Sequence, residues 1–81
     1  MVNVKPSEDF ERILSKLDKS IRIKIDKLLD KIILNPEIGK PMMYGRKGTR
    51  EVYVKPFRLS YSYNKNTDTL YLLDLYHKKE Q

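Results

Sequence analysis

Six side chains in the C-terminal half of the chain have the chemistry to bind a phosphodiester. All are arginine, lysine or histidine residues in or beside three predicted neighbouring strands: Arg50, Lys55, Arg58, His77, Lys78 and Lys79. Guanidinium and ammonium groups bind phosphate oxygens and stabilise negative charge that develops on them. Because RNA supplies its own nucleophile, the 2′-hydroxyl, such a cluster predicts RNA binding or cleavage with no metal ion and no other cofactor. A solvated basic sheet surface is the alternative on spacing alone.

A second group of residues could extend this surface along a nucleic-acid strand. It contains Lys79 again and four further residues, of which three are basic and one is aromatic: Lys40, Arg46, Lys47 and Tyr53. The segment Gly39–Arg58 has a net charge of +5, and the whole chain has +6. Aromatic rings can stack on the bases of a single strand. The charge therefore predicts a polyanionic partner, either nucleic acid or an acidic protein, with a charge that serves only solubility as the alternative.

Several other classes of site are excluded by composition. The chain has 81 residues, no Cys and a single His, so we expect no disulfide framework and no usual zinc site. It contains neither a phosphate-binding GxxxxGK[ST] loop nor an HExxH motif. No apolar run approaches the roughly 20 residues that span a bilayer, and the first residues lack the apolar core of a signal peptide. We therefore expect one cytoplasmic domain over residues 1–81 that does not contact membranes.

Two amphipathic helices are predicted in the N-terminal half, after a short strand over residues 2–5. Ser7 is a candidate N-cap, and apolar residues then recur with helical spacing from Phe10 to Leu17 and again from Ile21 to Ile32. Asn35 and Pro36 end the second helix, because a residue before proline is disfavoured in the α conformation. A tight link between two such helices predicts a helical hairpin that buries one side.

Three strands are predicted in the C-terminal half, over Arg50–Lys55, Phe57–Tyr63 and Thr69–His77. A loop over Glu37–Thr49 precedes them, with a short extended stretch around Met42–Tyr44. The middle strand alternates apolar and polar residues, which places Tyr61 and Tyr63 in the core. The predicted order is β-α-α-β-β-β, an α+β fold in which the helical hairpin packs on one face of a small, mainly antiparallel, four-stranded sheet.

The order and spacing of these features resemble the RelE/ParE superfamily of toxins from toxin–antitoxin modules, on the RelE side. The stretch Asn35–Pro41 reads NPEIGKP, similar to the NP…GKP stretch that follows the helical hairpin in that family. The run Gly48–Tyr61, GTREVYVKPFRLSY, is similar to the family pattern G-x-x-E-x-R-V-G-x-Y-R-[VIL]-x-Y. The final His-Arg pair of the family corresponds here to His77 and Lys78. The resemblance covers nearly the whole chain.

The resemblance implies a function and a set of partners. RelE-like members are ribosome-dependent mRNA endoribonucleases, or mRNA interferases, which inhibit translation by cutting through the 2′-hydroxyl without a metal. A cognate antitoxin neutralises them, and here we expect an acidic, RelB-like protein. ParE-like members share the fold but inhibit DNA gyrase. A gyrase inhibitor and a catalytically weak member that only binds RNA or antitoxin are therefore the alternatives.

Roles for individual residues follow from the same resemblance. Arg58 matches the strand arginine that contacts the scissile phosphate, while Lys78 supplies charge and His77 or a tyrosine transfers protons. Tyr53 stands where many members have a basic residue, so Arg50 or Lys55 is expected to supply that charge. Some members have a further Tyr after the final basic pair, and the residue expected in its place is Tyr53 or Tyr76.

Overall fold

Residues 2–42 and 48–77 are described in the computed structural model of the chain. They form two helices and five strands, in an order that starts with a strand and a helical pair. The elements are β1 (Asn3–Pro6), α1 (Glu8–Ser15), α2 (Lys19–Leu34), β2 (Lys40–Pro41), β3 (Arg50–Val54), β4 (Phe57–Asn64) and β5 (Thr69–His77). Within the described residues, no helix is both long and apolar enough to cross a membrane.

The five strands form one sheet in the order β1-β5-β4-β3-β2. β1 runs parallel to β5, and every other neighbouring pair is antiparallel. This confirms the predicted α+β fold with a mainly antiparallel sheet. The predicted count of four strands was wrong, because the two-residue strand β2 pairs with Arg50 and Glu51 of β3. Two residues, one of them a proline, show no alternation that a sequence pattern could reveal. Of the extended stretch predicted around Met42–Tyr44, Met42 directly follows β2, and Met43 and Tyr44 lie outside the described residues.

The helical hairpin covers one face of the sheet and buries its apolar residues there. Phe10 of α1 and both Ile25 and Ile32 of α2 are at most 1% exposed. They belong to one core with the apolar side chains that the sheet presents on the same side: Val54, Leu59, Tyr61, Leu70, Leu72 and Leu75. The apolar faces of the two helices therefore pack against the apolar face of the sheet in a single core.

Tyr61 ties the loop after α2 to this core. Its ring is fully buried, and its hydroxyl donates to the carbonyl of Pro36 at 2.9 Å and accepts from the amide of Gly39 at 2.8 Å. Burial raises the pKa of the Tyr61 hydroxyl, against smaller lowering effects from the Gly39 bond and from Arg50. Tyr61 is thus the core residue that the alternation predicts. Tyr63 is partly buried and packs against the edge of the core.

The start of α1 is attached to β5 by Ser7, as the capping pattern predicts. The Ser7 hydroxyl accepts from the amide of Phe10 at 3.0 Å and donates to the carbonyl of Leu73 at 2.7 Å. We expect Ser7→Ala to lower the free energy of unfolding by about 1–2 kcal/mol, because both bonds are lost. Urea unfolding measures this. Ser15→Ala is the control, since its exposed hydroxyl bonds only within α1 and should change stability by less than about 0.5 kcal/mol. Equal effects of the two substitutions would contradict the role of Ser7.

Candidate functional site

Arg58 lies on the face of the sheet opposite the helices. Its neighbours Phe57 and Leu59 point into the core side, and side chains alternate along a strand, so Arg58 must point the other way. The register places Arg58 directly between Tyr53 of β3 and Tyr76 of β5. An arginine flanked by two aromatic residues on the sheet face opposite the helices is suited to bind a nucleotide chain, through its phosphate and its bases.

Glu51 joins Arg58 and Tyr76 into one hydrogen-bonded group. Nη1 of Arg58 donates to Oε1 of Glu51 at 3.3 Å, and the Tyr76 hydroxyl donates to Oε2. The Glu51 side chain is 7% exposed and that of Arg58 is 32% exposed. These three residues, Glu51, Arg58 and Tyr76, are called the Glu51 cluster below. It places a carboxylate, a guanidinium and a phenol within reach of each other on three adjacent strands.

An open groove of about 490 Å³ runs along this group. Its described lining comes from β3, from Arg58 of β4, and from β2 with the residue that follows it: Lys40, Pro41, Met42, Glu51, Val52, Tyr53 and Arg58. Tyr53 is 52% exposed, so its ring is accessible from solvent. Three of the residues predicted from sequence, Lys40, Tyr53 and Arg58, therefore line one groove.

Arg50 and His77 lie on the helix side of the sheet, away from the Glu51 cluster. Arg50 is paired with the buried Tyr61, and its Nη1 donates to the carbonyls of Glu37 at 3.0 Å and Gly39 at 2.8 Å. The His77 ring packs edge-on against Phe57, with ring centroids 5.5 Å apart. The structure thus does not bring these two residues together with Arg58. Their predicted roles in the chemistry stay predictions.

The other basic residues of the predicted site are placed less closely or not at all. Lys55 is exposed in the turn between β3 and β4, one position beyond the last strand residue. Arg46, Lys47, Lys78 and Lys79 lie outside the described residues.

Glu51 is the functional candidate that the sequence reasoning missed. One signal was available, because Glu51 is the sole acidic residue in the basic segment Gly39–Arg58. It also shares a strand face with Tyr53, two residues further along β3. Tyr76 is predicted from the sequence only as one of two candidates for the position of the family's C-terminal Tyr, with no link to Glu51. Its contact with Glu51 depends on how β5 is aligned with β4, which the sequence pattern does not reveal.

Comparisons with known proteins agree with the fold and identify the family. Residues 4–81 match the family model described as ParE toxin of type II toxin–antitoxin system, parDE. No curated protein sequence matches the chain.

Solved toxin structures share the architecture at low sequence identity. A chain of the RelBE2 toxin–antitoxin complex from Mycobacterium tuberculosis is 23% identical, with a TM-score of 0.85 over 95% of this chain and 98% of that chain. The YoeB/ParE toxin from Agrobacterium tumefaciens is 13% identical, with a TM-score of 0.83 over 94% of this chain and 98% of that chain. A chain of the intact Escherichia coli RelBE complex is 16% identical, with a TM-score of 0.81 over 93% and 94%.

These structural similarities establish the fold, and the family match covers nearly the whole sequence. The resemblance to the RelE/ParE superfamily is thereby confirmed, whereas the assignment to its RelE side stays a prediction. The chain belongs to the ParE toxin family of type II toxin–antitoxin systems.

Proposed function

We propose that this toxin inhibits translation as an mRNA endoribonuclease that acts on the ribosome and is neutralised by a cognate, acidic antitoxin. The observation that carries the proposal is the position of Arg58 between Tyr53 and Tyr76 on the sheet face opposite the helices. In the proposed complex the Arg58 guanidinium binds the scissile phosphate and stabilises the charge that develops on its oxygens.

The groove beside Arg58 is better suited to bind single-stranded RNA than an RNA duplex. Tyr53 offers an exposed ring on which one unpaired base can stack, and Lys40 of β2, which is paired with Glu51, adds a positive charge to the same groove. A double helix would present its phosphates but keep its bases stacked inside. An mRNA codon that is held open on the ribosome meets the requirement for an accessible base next to an accessible phosphate.

The antitoxin part of the proposal follows from charge as well as from the family. The chain has a net charge of +6, so an acidic partner would be attracted over a long range and would compete with RNA for the same basic surface. Occupation of that surface by the antitoxin would then prevent mRNA from reaching Arg58.

Primer extension on an mRNA in a translating extract tests this function. We expect the purified toxin to produce new 5′ ends within ribosome-occupied codons, and none on the same mRNA without ribosomes. Addition of the antitoxin before the toxin should remove these ends. Intact mRNA together with loss of DNA supercoiling by purified gyrase would contradict the proposal and support a gyrase inhibitor instead.

A further inference from the structure

We infer that Glu51 accepts the proton of the attacking 2′-hydroxyl group when this toxin cleaves RNA, an inference that rests on the proposed function. A phosphodiester cleaved through its 2′-hydroxyl needs two things from the protein. One is positive charge at the phosphate, which Arg58 supplies, and the other is a base beside the sugar. Glu51 is the described acidic residue that lines the groove next to Arg58.

The structure holds the Glu51 carboxylate in a defined position. Each of its oxygens accepts a hydrogen bond from a neighbouring strand, Oε1 from Arg58 and Oε2 from Tyr76. A base fixed in this way needs little reorganisation to take a proton, which is the main advantage that a folded site has over water. Because Glu51 and Arg58 touch, a phosphate bound by Arg58 brings its adjacent ribose close to Glu51. Tyr76 acts as a positioning residue through the carboxylate.

The proposed cleavage step needs no reactant other than the RNA, these side chains and solvent water. Glu51 takes the proton from the 2′-hydroxyl, and the 2′-oxygen forms a bond to phosphorus. The bond from phosphorus to the 5′-oxygen of the next nucleotide breaks, and that oxygen takes a proton from solvent water. The products are a 2′,3′-cyclic phosphate and a 5′-hydroxyl end, and protonated Glu51 then returns its proton to water.

Two isosteric substitutions on one sheet face distinguish this role from a purely structural one. Glu51→Gln keeps the size of the side chain and an oxygen that accepts hydrogen bonds, but it cannot take a proton at neutral pH. Asp74→Asn is the matched control, because Glu51, Ser60 and Asp74 are aligned across β3, β4 and β5. Asp74 is outside the described groove lining, and its carboxylate accepts from the amide of Leu75 at 2.8 Å.

The experiment measures single-turnover cleavage of mRNA on programmed ribosomes with excess toxin. Affinity is measured separately on an mRNA with 2′-deoxyribose at the cleavage position, which binds but cannot react. We expect Glu51→Gln to lower the cleavage rate by about 100-fold or more with little change in affinity. Asp74→Asn should stay within about twofold of the wild type in both. Thermal unfolding and antitoxin binding verify that both variants are folded.

The remaining outcomes separate the inference from the proposed function. Wild-type cleavage with an unimpaired Glu51→Gln variant would overturn the inference and leave the function standing. The same holds if Glu51→Gln loses only affinity, since Glu51 would then merely orient Arg58. A folded wild-type toxin that leaves ribosome-bound mRNA intact would overturn both.

Discussion

Replacement of Arg58 by Ala is expected to lower the mRNA cleavage rate by about 100-fold or more and so to abolish growth inhibition. The guanidinium is the cationic group of the Glu51 cluster, and it lies at the groove between two aromatic neighbours. In the proposed mechanism its removal takes away the charge that stabilises the transition state, while the helices, the core and the rest of the surface are unchanged. Primer extension and growth after induction of the toxin measure the two effects.

The same substitution also removes a partner from the carboxylate of Glu51, which is 7% exposed. We expect this to lower the free energy of unfolding by about 1–3 kcal/mol, so folding and antitoxin binding must be measured on the variant. Arg58→Lys provides a milder test, because it keeps the charge and loses the planar fork of the guanidinium. It should retain stability and show intermediate activity.

Arg12→Ala is the matched control for the loss of an arginine. Arg12 forms an ion pair with Asp9 at 2.7 Å, but both side chains are more than 60% exposed on α1. Its removal changes the net charge by the same amount and should leave both toxicity and stability nearly unchanged. A fully toxic Arg58→Ala variant would contradict the assignment of Arg58. Loss of toxicity in Arg12→Ala would show that net charge alone is responsible.

Substitution of Gly39 by Ala is expected to give the largest loss of stability. A Cβ atom at this position would lie 2.6 Å from the Tyr61 hydroxyl oxygen and 2.8 Å from Cε1 of the same ring. The ring is fully buried, so either the loop or the packed core around Tyr61 must shift. Overpacking and the weakened bond from the Gly39 amide together should lower the free energy of unfolding by about 2–4 kcal/mol. For a domain of this size that corresponds to a fall in Tm of roughly 10–20 °C.

Gly48→Ala is the control, because this glycine is required by its backbone conformation and not by a close contact at the Cβ position. Gly48 has a φ of +97°, but no atom of the residues that the structure describes lies within 4 Å of the Cβ position. Backbone strain alone should therefore lower stability by about 1–2 kcal/mol. Chemical unfolding of both variants at one temperature compares them. If Gly39→Ala proves no less stable than Gly48→Ala, the loop is free to move away from Tyr61 and the tight contact is not a constraint.

Much of the fold follows from patterns that are local in the chain. Apolar spacing from Phe10 to Ile32 determines both helices and the side that each buries, because it reflects the geometry of a single helix. Alternation in β4 likewise assigns Tyr61 to the core. The short strand β2 does not follow from such a pattern. Its two residues are assigned as a strand through their pairing with Arg50 and Glu51 of β3.

The face on which each basic residue lies depends on pairing between strands. In the β3–β4 hairpin Tyr53 pairs with Arg58 and Arg50 pairs with Tyr61. A buried Tyr61 therefore requires Arg50 on the helix side. Sequence alone grouped Arg50 with Arg58, since both are basic and near in the chain. A shift of one residue in the pairing would exchange the faces.

The amino-acid sequence by itself determined the class of fold and the family, and it selected Arg58 as the candidate phosphate-binding residue, because periodicity and a matched motif need no knowledge of contacts. Tertiary structure alone decided which residues surround Arg58. If pairing continued without interruption from the Asn64–Thr69 pair along β4 and β5, Leu75 would lie opposite Arg58. The observed register instead shifts by one residue between Ser60 and Tyr61. That irregularity puts Tyr76 opposite Arg58 and turns His77 toward the helices. A single added residue moves every side chain beyond it to the opposite face of the sheet. Whether Tyr76 belongs to the Glu51 cluster therefore depends on the pairing of β4 with β5.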